Sequence, residues 1–332
     1  MFKLFLVPIF VSTAIAGLVF LWGGAGALGL VLLLSVLEVS LSFDNAVINA
    51  KVLSKMDAVW RGRFLTWGML GAVLGARLIF PVLLVSIAAG ISPFTILGMM
   101  LESPTKYAHL VAGAAPVIHA FGGAFLLMVA LRYFFDEAKD VYWIRFAERR
   151  MSAWGNIYAI EIALALCAVL AASFMAPREA AVVLSSGIVG IVLFIAIEGL
   201  VHMLGSSAAH AARAGFSMFI YLNLLDAAFS LDGVIGAFAL TTQVMIIMAG
   251  LGVGAYFVRT LTLLLVERRT LASLIYLEHG AYWAIFGLAC CMFAALWTIV
   301  PEVVTGLVSL LFLGAAYYSS LRNRKLHGPV GL

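Results

Sequence analysis

Long apolar segments alternate with short polar connections along the whole chain. Ten of these segments contain about 20 residues or more, the length with which an α-helix crosses the hydrocarbon core of a bilayer. They cover residues 3–22, 26–49, 65–88, 116–135, 156–176, 179–204, 214–240, 243–266, 279–300 and 302–321. The pattern therefore predicts an all-α, polytopic membrane helix bundle of about 10 transmembrane helices, folded as a single membrane domain.

The basic residues are divided unequally between the connections. If the N-terminus and every second connection lie on one side of the membrane, that side holds all but four of the 20 lysine and arginine residues. Lys106 and Arg178 lie on the other side, and Arg77 and Arg259 lie inside predicted spans. Because cytoplasmic connections carry the excess of positive charge, we expect a multi-pass protein of the cell membrane (inner or plasma membrane) with both termini in the cytoplasm.

The overall composition agrees with a membrane environment. Hydrophobic residues make up 64% of the 332 residues and charged residues only 11%, whereas soluble domains carry about 25% charged residues. The net charge of +4 is explained by the cytoplasmic connections, so the expected partner is the lipid bilayer and not a nucleic acid. Three cysteines without a CxxC pattern argue against a disulfide framework and a thiolate metal site.

A short polar motif occurs twice in this apolar sequence. Residues 38–47 and 226–235 both fit Glu/Asp-x-x-x-Ser-x-Asp-Asn/Gly-x-Val/Ile, and the next span in each case has a glycine-rich stretch followed by an arginine, Arg77 or Arg259. The two copies lie five predicted spans apart and therefore cross the bilayer in opposite directions. This predicts two inverted three-helix repeats, the layout in which transporters hold their substrate near the midplane between the halves.

The repeats divide the domain into four parts. Repeat one covers about 26–135, linking helices cover about 156–204, repeat two covers about 214–300, and an extra C-terminal helix covers about 302–321.

The motif supplies oxygen atoms that suit a hard metal ion. Its polar members are the carboxylates of Glu38, Asp44, Asp226 and Asp232, the hydroxyls of Ser42 and Ser230, and the amide of Asn45. Oxygen ligands favour Mn²⁺, Mg²⁺ or Ca²⁺, and the absence of nearby histidine or cysteine speaks against Zn²⁺ and Cu⁺. A carboxylate at mid-bilayer costs about 2.5–3.5 kcal/mol. Alternatively, Arg77 and Arg259 neutralise two of the acids and the motif only packs helices.

Helix geometry separates the two acids of each copy. Glu38, Ser42 and Asn45 fall on one face of a straight helix, and Asp44 lies about 120° away. We therefore expect the helices to unwind around Ser-x-Asp, helped in the second copy by Gly233, so that both acids turn inward. Asp44 and Asp232 would then form the innermost metal ligands.

Two further acids, Glu161 and Glu198, lie inside spans but outside the repeat. Glu198 precedes His202 by four residues and shares its helix face, which suits a proton relay in a proton-coupled antiporter. A hydrogen bond between helices explains these acids equally well. No nucleophile, metalloprotease, P-loop or dinucleotide motif is found, so we expect neither an enzyme nor an organic cofactor.

The segments Glu38–Ala46 and Asp226–Val234 resemble the two signature segments of the TerC integral membrane family. The fuller pattern, which includes Tyr276–Ala284, resembles a subgroup of that family known only as a domain of unknown function. TerC-like proteins are similar to the lysine-exporter superfamily in having repeated three-helix units, and several are implicated in Mn²⁺ export. By position, the resemblance implies the metal ligands Glu38, Asp44, Asn45, Asp226 and Asp232.

The expected function is therefore export of a divalent ion, with Mn²⁺ favoured, by alternating access at the intramembrane carboxylates and with possible proton coupling. Other TerC-like proteins are associated with metal loading of secreted proteins. The alternative is thus a membrane metal-binding or assembly factor that serves exported proteins without net transport. The second copy has Gly233 where the first has Asn45, so that half would lack one side-chain ligand.

Overall fold

The computed structural model describes residues 2–64, 75, 77, 79–205, 211–267 and 273–327, and the regular secondary structure in these ranges is helical. In chain order the helices are α1 (Phe2–Leu41), α2 (Phe43–Lys55), α3 (Ala58–Arg63), α4 (Phe80–Ala89), α5 (Pro93–Glu102), α6 (Pro104–Phe134), α7 (Arg145–Ala153), α8 (Ile160–Met175), α9 (Ala180–Gly205), α10 (Ala211–Leu240), α11 (Val244–Glu267), α12 (Leu277–Ala294) and α13 (Glu302–His327).

Seven helices within the described residues are long and apolar enough to cross a membrane: α1, α6, α9, α10, α11, α12 and α13. The pair α4 and α5, which meet at an angle of 111°, makes an eighth candidate if it is one broken span. These helices confirm the all-helical class, and their apolar surfaces fit a lipid bilayer. The chain is a multi-pass membrane protein.

The first predicted span and most of the second lie in one element, α1, which is kinked. A helix of its 40 residues would be about 60 Å long, roughly twice the hydrocarbon thickness of a bilayer. Gly24 interrupts it with φ 70° and ψ −166°, a backbone conformation that glycine adopts without steric cost. The interruption falls where the sequence predicts the boundary between spans one and two.

Other boundaries differ from the sequence prediction. The predicted third span lies partly outside the described residues, and its visible end, α4, turns at Gly90 (φ 66°) into the additional short helix α5. Helix α6 begins at Pro104, well before residue 116, because its N-terminal half packs against α4 and α5 around the buried Tyr107. Helix α8 has only 16 residues, which is short for a complete crossing.

The core is centred on α6. Phe125, Leu126 and Phe134 of this helix are fully buried, and α6 packs against α9, α10 and α12. Helix α1 packs chiefly against α11, and α12 packs against α13. Large apolar side chains on the outer faces, among them Phe10 and Leu21 of α1, remain exposed, as expected for surfaces that face lipid.

Candidate functional site

The first motif copy lies where α1 passes into α2. Glu38 is 1% exposed, its Oε1 accepts a hydrogen bond from the Ser42 hydroxyl at 2.7 Å, and the Arg77 guanidinium forms an ion pair with the same oxygen. The break at Ser42 is slight, because the Ser42 N–H still donates to the Glu38 carbonyl at 2.9 Å and the Ala46 N–H donates to the Ser42 carbonyl at 3.1 Å. Extensive unwinding is therefore not seen here.

The second motif copy lies within α10. Asp226 is buried, and its Oδ1 accepts a hydrogen bond from Asn49 Nδ2 of α2 at 2.8 Å. Helix α10 continues without interruption to Leu240, so the predicted unwinding around Ser230 is wrong. A continuous helix keeps its backbone hydrogen bonds satisfied, which is strongly favoured in a membrane where no water can replace them.

The two copies meet in the interior. A Cβ atom added to Gly233 would lie 3.5 Å from Glu38 Oε2, so the small residue of the second copy faces the acid of the first. Asp226 in turn contacts Asn49, one helical turn beyond Asn45. Arg77 and Glu38 also lie close enough to Asp226 to act on it electrostatically. The structure thus brings the motifs together across the interface between α1, α2 and α10.

Both acids lie at similar depth along their helices. Glu38 follows the break at Gly24 by 14 residues, and Asp226 precedes the end of α10 at Leu240 by 14 residues. At 1.5 Å per residue each acid lies about 21 Å along its helix from that point, a distance of about half the total thickness of a bilayer, which is about 40–45 Å.

Several buried oxygen atoms of the two motif copies and of Asn49 have no hydrogen-bond partner among the described residues. They are Asp44 Oδ2, Asn45 Oδ1, Asn49 Oδ1 and Ser230 Oγ. Buried polar atoms are nearly always hydrogen-bonded in proteins, and oxygens left without a donor are suited to contact a cation. Asp44 is completely buried, and its other oxygen accepts the Asn45 N–H at 2.9 Å.

The described part of the site is not a complete metal shell. Among the described residues, no three histidine, cysteine or acidic side chains lie close enough to hold one metal ion. The side chain of Asp232 lies outside the described residues, so its predicted place as an innermost ligand is not part of this geometry. Arg259 is partly buried on α11, with its guanidinium 5.8 Å from the centre of the Tyr256 ring.

Glycine residues bring α11 against the first motif copy. A Cβ atom on Gly254 would lie 2.5 Å from Glu38 Cβ, and one on Gly250 would lie 2.6 Å from Leu34 Cβ. The Ser35 hydroxyl donates to the Gly250 carbonyl at 3.0 Å. This close contact of backbones fixes the position of Glu38.

Glu161 and Glu198 both contact one arginine. Arg132 of α6 lies 3.1 Å from Glu161 Oε1 of α8 and 2.5 Å from Glu198 Oε1 of α9. The Arg132 side chain is 56% exposed, so these ion pairs are at the surface end of the bundle. The side chain of His202, the third member of the predicted proton relay, lies outside the described residues.

Two cavities lie on opposite sides of the acids along the helix axes. A cavity of about 560 Å³ is lined by charged and tyrosine side chains, including Lys51, Arg132 and Tyr221. Lys51 is two residues beyond Asn49, and Tyr221 precedes Asp226 by five. A second cavity of about 470 Å³ is lined by Leu37, Gly236, His119 and mainly apolar residues. Leu37 adjoins Glu38, and Gly236 follows Gly233 by three residues.

A further buried acid, Glu148, lies outside the two motif copies and is not among the residues that the sequence predicts for the site. It lies in α7, in the polar segment between α6 and α8, and is completely buried. Its carboxylate contacts His279 Nδ1 at 2.7 Å and accepts from Trp283 Nε1 at 2.9 Å, and Lys139 Nζ lies at 3.4 Å. Burial raises the pKa of Glu148, but the contacts with His279, Trp283 and Lys139 outweigh it and lower the pKa to about 2.

A sequence signal for Glu148 existed. His279 and Trp283 are four residues apart in α12 and therefore share a face, and both belong to the segment Tyr276–Ala284 that carries the family resemblance. Their polar side chains in an otherwise apolar helix indicate a buried partner. Glu278, in the same segment, forms an ion pair with Lys51 of α2.

The comparisons with known proteins identify a family but no function. A family model described as "Protein of unknown function (DUF475)" matches residues 43–327, which begins after α1 and includes most of the chain. No curated protein matches the chain, and no solved structure matches it either.

Proposed function

The chain belongs to the DUF475 family, whose description gives no function. From the buried acids of the two motif copies we propose that it is an integral membrane transporter that exports a hard divalent metal ion, with Mn²⁺ as the favoured substrate. The proposed topology has ten spans, two inverted three-helix repeats and both termini in the cytoplasm. The interruption of α1 at Gly24 supports two separate spans within this element. Membership of the TerC-like family is part of the same proposal.

One observation carries the proposal: Glu38 of the first motif copy and Asp226 of the second are buried at the same helix interface. Asp44 adds a fully buried carboxylate. Such groups are costly in a membrane and are usually retained for a substrate or ion. The proposed ligands are Glu38, Asp44, Asn45, Asp226 and Asp232, with Ser42 and Ser230 in support.

The two cavities support passage of an ion. The cavity at Lys51 and Arg132 comes within about two helical turns of Asp226, and the cavity at Leu37 and His119 approaches Glu38 from the other end. A site between two cavities is the arrangement that alternating access requires, because the ion must be exposed to each side in turn. Glu161 and Glu198, next to the first cavity, are proposed to pass protons during the exchange.

The proposal is tested by ion flux in sealed proteoliposomes that contain a Mn²⁺-quenched fluorophore. The wild-type protein should let Mn²⁺ cross, and Asp226→Asn should lower the rate at least tenfold because it removes charge from the site. Asp140→Asn, which alters an exposed acid, is the matched control and should not change the rate.

The same vesicles separate transport from the alternative function. If the wild-type protein retains Mn²⁺ at the membrane but no ion reaches the interior, the protein is a metal-binding or assembly factor and the transporter proposal is wrong. If neither binding nor flux is detected at saturating Mn²⁺, Mg²⁺ or Ca²⁺, the metal proposal as a whole is wrong.

A further inference from the structure

Arg77 contacts an acid of the candidate metal site directly. Its side chain is buried and forms an ion pair with Oε1 of Glu38, the oxygen that also accepts the Ser42 hydroxyl. Its charge acts on Asp226 as well. One guanidinium group therefore provides positive charge to an acid of each motif copy.

A divalent ion bound to the same Glu38 oxygen would conflict with this arrangement. The guanidinium and the metal would have to lie within a few ångströms of each other, and two cations at that distance in a buried site repel strongly. The two are thus alternative partners for one carboxylate. If neither the guanidinium nor the metal ion were present, the negative charge of the buried carboxylates would be unpaired, which is unfavourable.

We propose that Arg77 is a built-in competitor for the transported ion. Its guanidinium binds Glu38 between transport events and leaves when a divalent cation enters. The competition keeps the site electrically compensated at every stage and weakens binding enough for the ion to be released. This inference rests on the proposed function, because it concerns the same site and the same substrate.

The experiment measures Mn²⁺ affinity by calorimetry with the purified full-length protein in detergent. Arg77→Gln removes the competing charge while it keeps a polar side chain, so Mn²⁺ should bind at least tenfold more tightly than in the wild type. In proteoliposomes the same variant should release the ion more slowly and show a lower turnover.

Chemical rescue separates competition from a merely structural role. In Arg77→Ala, free guanidinium ion at millimolar concentration should enter the vacated space and weaken Mn²⁺ binding towards the wild-type value. It should leave the affinity of the wild-type protein unchanged. A guanidinium effect that is equal in both proteins would contradict the proposal.

The control variant is Arg61→Gln. Arg61 is partly buried and donates to the carbonyls of Leu53 and Met56, each at 3.0 Å, but it lies outside the cluster and should not alter Mn²⁺ affinity. If Arg77→Gln does not fold, the Mn²⁺ affinity of Arg77→Lys is measured in its place. Lysine keeps the charge but cannot form the forked contact of arginine, so Mn²⁺ should bind severalfold more tightly.

The possible failures are distinguishable. If the wild type binds Mn²⁺ and the folded Arg77 variant binds it equally or more weakly, the proposed role of Arg77 is wrong. The proposed function is not affected by that result. Absence of Mn²⁺ binding in the wild type and in all Arg77 variants overturns both.

Discussion

At the scale of single residues, Asp44 gives the most direct test of the metal site. It is completely buried, and its Oδ2 has no donor among the described residues. Asp44→Asn keeps the shape and removes the charge, so Mn²⁺ binding should fall at least tenfold. Folding should not suffer, because one fewer buried charge has to be compensated.

Calorimetry measures this binding, and thermal unfolding of the same sample checks the fold. A folded Asp44→Asn protein that binds Mn²⁺ as the wild type does would make this carboxylate a packing residue. The interpretation in which Arg77 and Arg259 merely neutralise buried acids would then be favoured.

Glu148 gives a residue-scale prediction about stability. Its pKa is lowered from the ordinary 4.5 to about 2, so the folded state favours the charged carboxylate. This contribution to the free energy of unfolding is complete above pH 4.5 and is lost as the pH falls towards 2. Glu148→Gln should lower the stability at pH 7 by about 1–3 kcal/mol, because hydrogen bonds to a buried charge are lost.

The measurement is the midpoint of thermal unfolding between pH 7 and pH 3 in detergent. The wild type should lose stability below pH 4.5, and Glu148→Gln should lack that part of the pH dependence. Glu179→Gln, at an exposed position, serves as the control and should follow the wild-type curve. A Glu148→Gln curve parallel to the wild type would show that the carboxylate charge does not stabilise the fold.

At the scale of helices, glycine residues lie at three of the closest crossings. Gly254 of α11 contacts α1. A Cβ atom added to Gly190 of α9 would lie 2.4 Å from the Phe121 carbonyl oxygen of α6. A Cβ atom added to Gly280 of α12 would lie 2.4 Å from Ala316 Cβ of α13. These helix pairs form the most extensive contacts in the bundle. Without side chains at these points the backbones approach closely, which is a common means of packing helices in membranes.

Gly254→Ala tests this packing next to the site. The new methyl group would overlap Glu38 Cβ and Cγ and the Ser35 carbonyl, so we expect a loss of stability of about 1–3 kcal/mol together with weaker Mn²⁺ binding. Gly29→Ala is the matched control, because it lies on α1 with open space around its added Cβ. Unfolding midpoints of both variants are compared, and equal midpoints would mean that α1 and α11 tolerate a wider separation.

At the scale of the whole molecule, the proposed topology can be tested by reporter fusions. A fluorescent protein that folds only in the cytoplasm should be active at either terminus. A phosphatase that is active only outside the cytoplasm should report from a fusion after residue 178 or residue 300, which the proposed spans place on the opposite side. If the N-terminal fusion reports the cytoplasm, a phosphatase-active C-terminal fusion would require an odd number of spans and would rule out the ten-span topology.

The sequence by itself determined the class of the protein, the positions of most helices and the polar motif that marks the candidate site. Apolar runs of spanning length and the distribution of basic residues are local properties of the chain. The break at Gly24 falls between the predicted spans 3–22 and 26–49.

Only the tertiary structure decided which groups face each other. The pairing of Glu38 with Arg77, of Asp226 with Asn49, and of Glu148 with His279 joins residues that are 39, 177 and 131 positions apart. Such contacts depend on the rotation and separation of packed helices, which glycine crossings set and which no local pattern specifies. For the same reason α10 stays continuous at Ser230: the space for Glu38 is provided by Gly233 on a neighbouring helix, and the backbone does not have to unwind.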